Sequence, residues 1–273
     1  MSHVLHMFWH GRALDPYENL SITSFLQNGY QVDVYTYDRD LVIPASANLR
    51  DAREILREDQ VKYYESGPEI GSVSLFANLF RYELLLKKGG WWADVDMICL
   101  RQYDQPGETF FARQDANLVN NAIMRFPASH PVMLACAKLA REGIGLAKWG
   151  DIGPHLLTKV LTEQDLIKEA ADPLIAYPIE YSRWTDLFDA NKRDKIARIS
   201  RDGFFLHYWN EMWRRAGVNK QIRPPQGSFL DEMIENFQIE FPERPRLELA
   251  PLKATAEMLE QFNKVRQKFA NAG

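Results

Sequence analysis

Gly89-Gly90-Trp91-Trp92-Ala93-Asp94-Val95-Asp96-Met97-Ile98-Cys99-Leu100 sets two acids inside an otherwise apolar run. Apolar neighbours on both sides carry Asp94 and Asp96 toward a buried or cleft position, where an unpaired carboxylate is costly and a cation or an arginine is needed nearby. If the segment is one central strand, alternation puts residues i and i+2 on the same side, so the two carboxylates can share a divalent cation. The spacing alone proves little, because Asp38-Arg39-Asp40 repeats it in a polar stretch where solvation explains it. For Asp94 and Asp96 the structural alternative is an ion pair with Arg81 or a capping role.

Upstream, Ser72 to Lys88 reads as the clearest helix, with Ser72 as N-cap, Lys87 and Lys88 in the last turn and Gly89 just past the end. Val4 to Trp9 reads as a first strand, and Asp15-Pro16 supplies the cap and first-turn proline of a helix toward Gly29. Val32 to Tyr37 alternates as a second strand, followed by a polar helix over Ala47 to Leu56 and a short strand over Val61 to Tyr64. This β-α-β-α-β alternation predicts a mostly parallel sheet.

Downstream, Pro131 to Ala171 is largely helical in pattern, broken at Gly143, Gly145, Gly150 and Gly153-Pro154, which predicts a loop over Trp149 to Pro154. Phe204-Phe205-Leu206 reads as a short strand running into His207-Tyr208-Trp209-Asn210-Glu211-Met212-Trp213, and the chain from Phe229 onward is amphipathic and charged.

With 273 residues, 46% hydrophobic and 26% charged, the chain suits one large domain, or one domain with a helical appendage. A net charge of -4 gives no reason to expect nucleic acid or an anionic membrane as the main partner. Cys99 and Cys136 each lie in apolar stretches that suit buried, reduced thiols and a reducing compartment. The start lacks a basic leader, and no run approaches the roughly 18 apolar residues of a membrane span. The expected location is cytoplasmic, with no transmembrane segment and with peripheral docking on a membrane left open.

Ala77-Asn78-Leu79-Phe80-Arg81-Tyr82 followed by Gly89-Gly90-Trp91-Trp92-Ala93-Asp94-Val95-Asp96 resembles the DxD sugar-binding region of family 32-type glycosyltransferases, in which a helix with Ser-Asp-x-x-Arg-Tyr precedes Gly-Gly-x-Tyr-x-Asp-x-Asp. That group includes the yeast initiating mannosyltransferase, bacterial capsule enzymes and, more distantly, the large clostridial glucosylating toxins. His6-Met7-Phe8-Trp9-His10-Gly11 resembles the family's opening strand, Gly153-Pro154 its Gly-Pro loop, and His207 to Trp213 its C-terminal His-x-x-x-x-x-Trp. The matches fall in the family's order over Val4 to Trp213. Asn78 departs from the usual aspartate, and Met212 from the usual serine.

The resemblance implies a GT-A-type nucleotide-sugar-binding fold, an α/β domain over residues 1-225 with a mostly parallel central sheet flanked by helices; the tail beyond Trp213 is not covered by it, and the amphipathic stretch over 226-273 is expected as a C-terminal helical extension packed on that domain. It implies a metal-dependent hexosyltransferase that moves a sugar from a nucleotide-sugar donor, UDP-linked, to a saccharide or lipid-linked saccharide, with retention, in polysaccharide biosynthesis. Asp96, Asp94 and His207 are the expected ligands of Mn²⁺ or Mg²⁺, hard oxygens with one imidazole suiting either ion. Arg81, Asp94 and Asp96 are the expected catalytic residues, and Trp9, Asn78, Arg81, Asp94 and Trp213 the donor-binding ones. Trp9 would stack on the base, Asn78 and Arg81 share a helix face toward the sugar, and Trp213 with Arg214 and Arg215 would close over the diphosphate. Asn121 and the loop at Asp151 are candidates for the acceptor side.

Two other classes compete. An Asp-x-Asp after a hydrophobic strand also serves metal-dependent phosphatases, although there it usually follows the first strand. A non-catalytic sugar-binding module is the other, kept open by Asn78. A dinucleotide site at Gly143-Ile144-Gly145 lacks the third glycine and follows a helical stretch.

Overall fold

The computed structural model describes residues 3-242 and 245-270. Its centre is a six-stranded sheet in the order β3-β2-β1-β4-β7-β6, made by β1 (Val4–Phe8), β2 (Gln31–Thr36), β3 (Asn48–Asp51), β4 (Gly90–Ala93), β6 (Phe110–Arg113) and β7 (Val119–Phe126). The pairings β2-β3, β1-β2 and β1-β4 are parallel, and β7 turns antiparallel against β4 and β6. A separate two-stranded antiparallel ribbon joins β5 (Met97–Cys99) to β8 (Phe205–His207). The mostly parallel α/β sheet flanked by helices agrees with expectation.

Because side chains alternate across a strand, neighbours in sequence feed opposite cores. Met7 and Trp91 enter the core that holds α1 (Pro16–Gln27), whereas Phe8 and Trp92 enter the core shared with α2 (Ser74–Lys88), α3 (Pro131–Gly143) and α4 (Pro154–Glu163). Cys99 lies in the first core and Cys136 in the second, both buried and unpaired. Gly89 sits at φ +66 between α2 and β4, where a Cβ would come within 2.4 Å of the Ala128 backbone nitrogen, so only glycine makes this turn.

The remaining helices are α5 (Pro173–Ala176), α6 (Arg193–Ile199), α7 (Asn210–Ala216), α8 (Phe229–Asn236) and α9 (Leu249–Ala270). α9 packs on α7 and on the 3₁₀ turns of Tyr181–Phe188. No helix among the described residues is long and apolar enough to cross a membrane.

Four local expectations are corrected. Ala47 to Leu56 is not a helix: it holds β3 and a 3₁₀ turn, because the backbone pairs with β2 and Asp33 takes Asn48 Nδ2 at 2.8 Å and Arg50 at 3.3 Å. Val61 to Tyr64 is not a strand: its backbone bonds are local, Tyr64 N–H to Ser72 O at 3.2 Å and Gly71 N–H to Tyr64 O at 2.8 Å. α2 starts at Ser74 with Val73 as N-cap, while Ser72 Oγ bonds Ser74 Oγ at 2.8 Å. The run from Trp91 to Leu100 is not one strand: β4 ends at Ala93, β5 begins at Met97, and the acids occupy a turn closed by Met97 N–H to Asp94 O at 3.1 Å.

Candidate active site

The turn of Asp94 to Asp96 is where the chain leaves the main sheet for the ribbon, so each acid is anchored to a different layer. Strand alternation therefore does not align the two carboxylates; their partners do. Asp94 N–H donates to Ala122 O of β7 at 2.7 Å, and its carboxylate accepts Trp92 Nε1 at 2.8 Å and Arg81 Nη1 at 3.1 Å. Arg81, only 3% exposed, reaches from α2, donates to Asn121 O at 2.6 Å and lies 5.1 Å from the Trp92 ring. Arginine, tryptophan and carboxylate form one block in which both Asp94 oxygens are engaged.

Asp96 is built by the ribbon. The register opposes Met97 to His207, which brings His207 Nε2 within 2.9 Å of Asp96 Oδ2. The same oxygen accepts Asn210 N–H at 2.9 Å, and Asp96 O accepts Tyr208 N–H at 3.0 Å. Between them Trp209 adopts φ 63 and ψ 54, a left-handed conformation that costs a bulky residue about 1–3 kcal/mol. Its indole is held by Ile179 O at 2.8 Å and lies 4.0 Å from the His207 ring. This strained residue turns the chain from β8 into α7 so that the Asn210 N–H meets Asp96.

The two carboxylates are driven apart. Burial, the stronger influence, and the Asp96 charge raise Asp94 against the pull of Arg81. Burial also opposes ionisation of Asp96, but His207 and the Asn210 N–H together take it below the usual carboxylate range.

All four groups open on a cleft of about 1780 Å³ whose lining also includes Trp9, Asn78, Asn121, Trp149, Trp209 and Lys220. Lys220 stands 5.7 Å from the Trp9 ring and pairs with Asp15 at 3.2 Å and with buried Glu18. Asn78 and Arg81 share the α2 face toward this cleft, and Asn78 Oδ1 accepts Asn121 Nδ2 at 2.9 Å.

Trp213 is corrected. It is fully buried against Tyr17, Phe188 and Tyr208 and does not line the cleft, where Trp209 stands instead. Arg214 and Arg215 do line it, but Arg214 binds Glu211 at 2.8 Å, and Arg215 binds Glu69 at 2.7 Å and Glu211 at 3.0 Å. Asp151 turns back to accept Lys148 N–H at 2.8 Å, closing its own loop. Trp92, Trp209, Asn210 and Lys220 escaped the sequence reading. The available signal was Trp92 at the tyrosine position of Gly-Gly-x-Tyr-x-Asp.

The donor set fits a hard divalent cation. Two ligand atoms at right angles, each roughly 2.1 Å from an ion, are separated by about 3 Å, and Asp96 Oδ2 and His207 Nε2 are 2.9 Å apart. Among the described residues no three His, Cys, Asp or Glu side chains form a metal cage, so the structure does not gather Asp94, Asp96 and His207 into one three-residue ligand set. Asp94, held by Arg81 and Trp92, borders this pair without a free oxygen of its own.

Two family models match the chain in succession. The glycosyltransferase sugar-binding region containing the DXD motif matches residues 17-111, and the α-1,4-glycosyltransferase conserved region matches residues 125-237. Human alpha-1,4-N-acetylglucosaminyltransferase is 29% identical over 145 residues, 48% of this chain and 41% of that protein. Human lactosylceramide 4-alpha-galactosyltransferase is 24% identical over 176 residues, 59% of this chain and 50% of that protein. The chain thus spans half or less of these two relatives. The apo glycosyltransferase GlyE of Streptococcus pneumoniae TIGR4 superposes with a TM-score of 0.47 at 12% identity, over 97% of this chain and 64% of that one. The first model encloses Asn78, Arg81, Asp94 and Asp96 and the second His207, so these residues of the cleft fall inside two stretches that are similar to glycosyltransferase regions.

Proposed function

We propose that this chain transfers a sugar from a nucleotide-sugar donor, UDP-linked, to a saccharide or glycolipid acceptor, with a divalent cation and with retention at the anomeric carbon. The observation that carries the reading is the convergence of two differently anchored pairs, Arg81 with Asp94 and His207 with Asp96, on one wall of the cleft that Trp9 also lines. The relatives' names support an acceptor that is a glycan or glycolipid and an α-linked product. An α-linked product from an α-linked nucleotide sugar requires retention.

Asp96 and His207 would hold Mn²⁺ or Mg²⁺, which supplies Lewis-acid stabilisation to the diphosphate leaving group. Arg81 fixes Asp94 and carries positive charge to the sugar end of the cleft. Trp9 offers an indole face to the base, and Lys220, tied to Asp15 and Glu18, stands beside that ring. Engagement of both Asp94 oxygens disfavours the phosphatase reading, which needs a free carboxylate oxygen as nucleophile. Buried, unpaired Cys99 and Cys136 support a cytoplasmic setting, with an acceptor reached in solution or at a membrane surface.

A thermal-shift screen of nucleotide sugars with Mn²⁺ tests this, since a ligand that binds the native state raises apparent stability. A cation-dependent rise with one nucleotide series is expected. Flat melting curves with every nucleotide sugar, or phosphate release from simple phosphoesters, would overturn it.

A further inference from the structure

Asn78 is 7% exposed and lines the cleft, and which end of its amide faces the ligand follows from counting protons behind it. Gly153 O is a carbonyl and only accepts, so Tyr82, whose hydroxyl lies 3.0 Å away, spends its single proton there. Tyr82 oxygen must then accept from Asn121, whose Nδ2 is 3.1 Å away. The other proton of that nitrogen goes to Asn78 Oδ1 at 2.9 Å. Asn78 Oδ1 is thereby tied inward, and its Nδ2 has no protein partner among the described residues. A Cβ on Gly153 would come within 3.0 Å of that nitrogen, so the glycine leaves it uncovered. Asn121 itself is pinned, because its carbonyl accepts Arg81 Nη1 at 2.6 Å, and it falls between the two matched family regions.

We propose that Tyr82 and Asn121 are positioning residues that lock Asn78 as a hydrogen-bond donor to the transferred sugar, and that this selects a donor whose contacting group only accepts, the carbonyl of an acetamido sugar. Asn121 thus belongs to the donor sugar and not to the acceptor side. The inference rests on the cleft holding a nucleotide sugar.

The test compares turnover of UDP-N-acetylhexosamines and UDP-hexoses, measured as UDP release with Mn²⁺, in three variants whose melting confirms folding. Asn78→Asp presents an oxygen directly. Asn121→Asp cannot donate, so Asn78 must turn its own Nδ2 inward and present Oδ1. A mispaired buried group is disfavoured, so both variants should lower the acetamido-to-hydroxyl turnover ratio about tenfold or more. Tyr82→Phe, which only frees the lock, should lower it less, and it carries the test alone if Asn121→Asp does not fold. A merely structural role for Asn121 would not make two changes at different positions converge on one ratio. Unchanged ratios with turnover retained would overturn the inference and leave the proposed function standing. Absence of turnover with every nucleotide sugar in the unmodified protein would overturn both.

Discussion

His207 Nε2 faces Asp96 Oδ2 at 2.9 Å because the ribbon pairs Met97 with His207 in register. Residues more than a hundred positions apart are thus joined by two short strands outside the main sheet. Removing the imidazole while leaving the strand intact should weaken Mn²⁺ binding without unfolding the chain. For His207→Ala the expected loss is about tenfold or more, since even groups that merely support metal ligands contribute that much. Direct titration of the variant with Mn²⁺ checks it, and unaltered affinity would remove His207 from the site.

Arg81 and Asp94 make a second, separable prediction. Arg81→Met leaves the Asp94 carboxylate with only the Trp92 indole, and breaking a buried pair from one side costs about 3–5 kcal/mol. Asp94 is 26% exposed in its side chain, so the low end of that range is expected. Arg81→Met combined with Asp94→Asn should recover much of the stability, because the orphaned charge is gone, while activity stays lost. Urea unfolding of both single variants and the double variant measures this.

The parts legible in the sequence are those written by apolar periodicity or by stop signals. β1, α1, β2 and α2 follow from such patterns, and the Gly89-Gly90 break located the acids. β3 was illegible because it is a mostly exposed edge strand whose pattern of partly covered and exposed residues has no apolar face, and only pairing with β2 makes it a strand. The Asp94 turn was misread as strand because apolar residues resume at Met97 in a different sheet. Trp209 and Trp213 both belong to one aromatic run, and a left-handed residue at Trp209 decides which one meets the cleft. No local pattern announces that conformation.

His6 gives the fold a defined acid sensitivity. Burial lowers its pKa from 6.5 to about 4 against the opposing pull of Asp33, while Nε2 lies 3.2 Å from Gly89 O. A histidine held neutral in the native state binds its proton more readily when unfolded. Its contribution is therefore complete above the unfolded pKa near 6.5 and is lost as pH falls toward 4. The expected loss over that window is roughly 3 kcal/mol at most. Comparing unfolding free energies of the unmodified protein and His6→Gln across this range isolates the term, and parallel curves would contradict it.

Trp9→Ala should weaken binding of UDP and of UDP-sugars by the same factor, about tenfold or more, because stacking on a base is worth roughly 1–3 kcal/mol and is indifferent to the sugar. Calorimetric titration with UDP and with one UDP-sugar decides it. A loss confined to the sugar nucleotide, or loss of folding, would assign Trp9 elsewhere.

Asp96→Asn tests the central claim most directly. It keeps an acceptor oxygen for the Asn210 N–H but removes the charge that would face the cation beside His207. Nucleotide release from the UDP-sugar that stabilises the unmodified protein, followed with saturating Mn²⁺, should fall at least about a hundredfold, since Lewis-acid stabilisation contributes several kcal/mol. Mn²⁺ affinity should fall with it, while the melting curve remains cooperative. A folded Asp96→Asn protein with unchanged turnover and unchanged Mn²⁺ affinity would contradict the account.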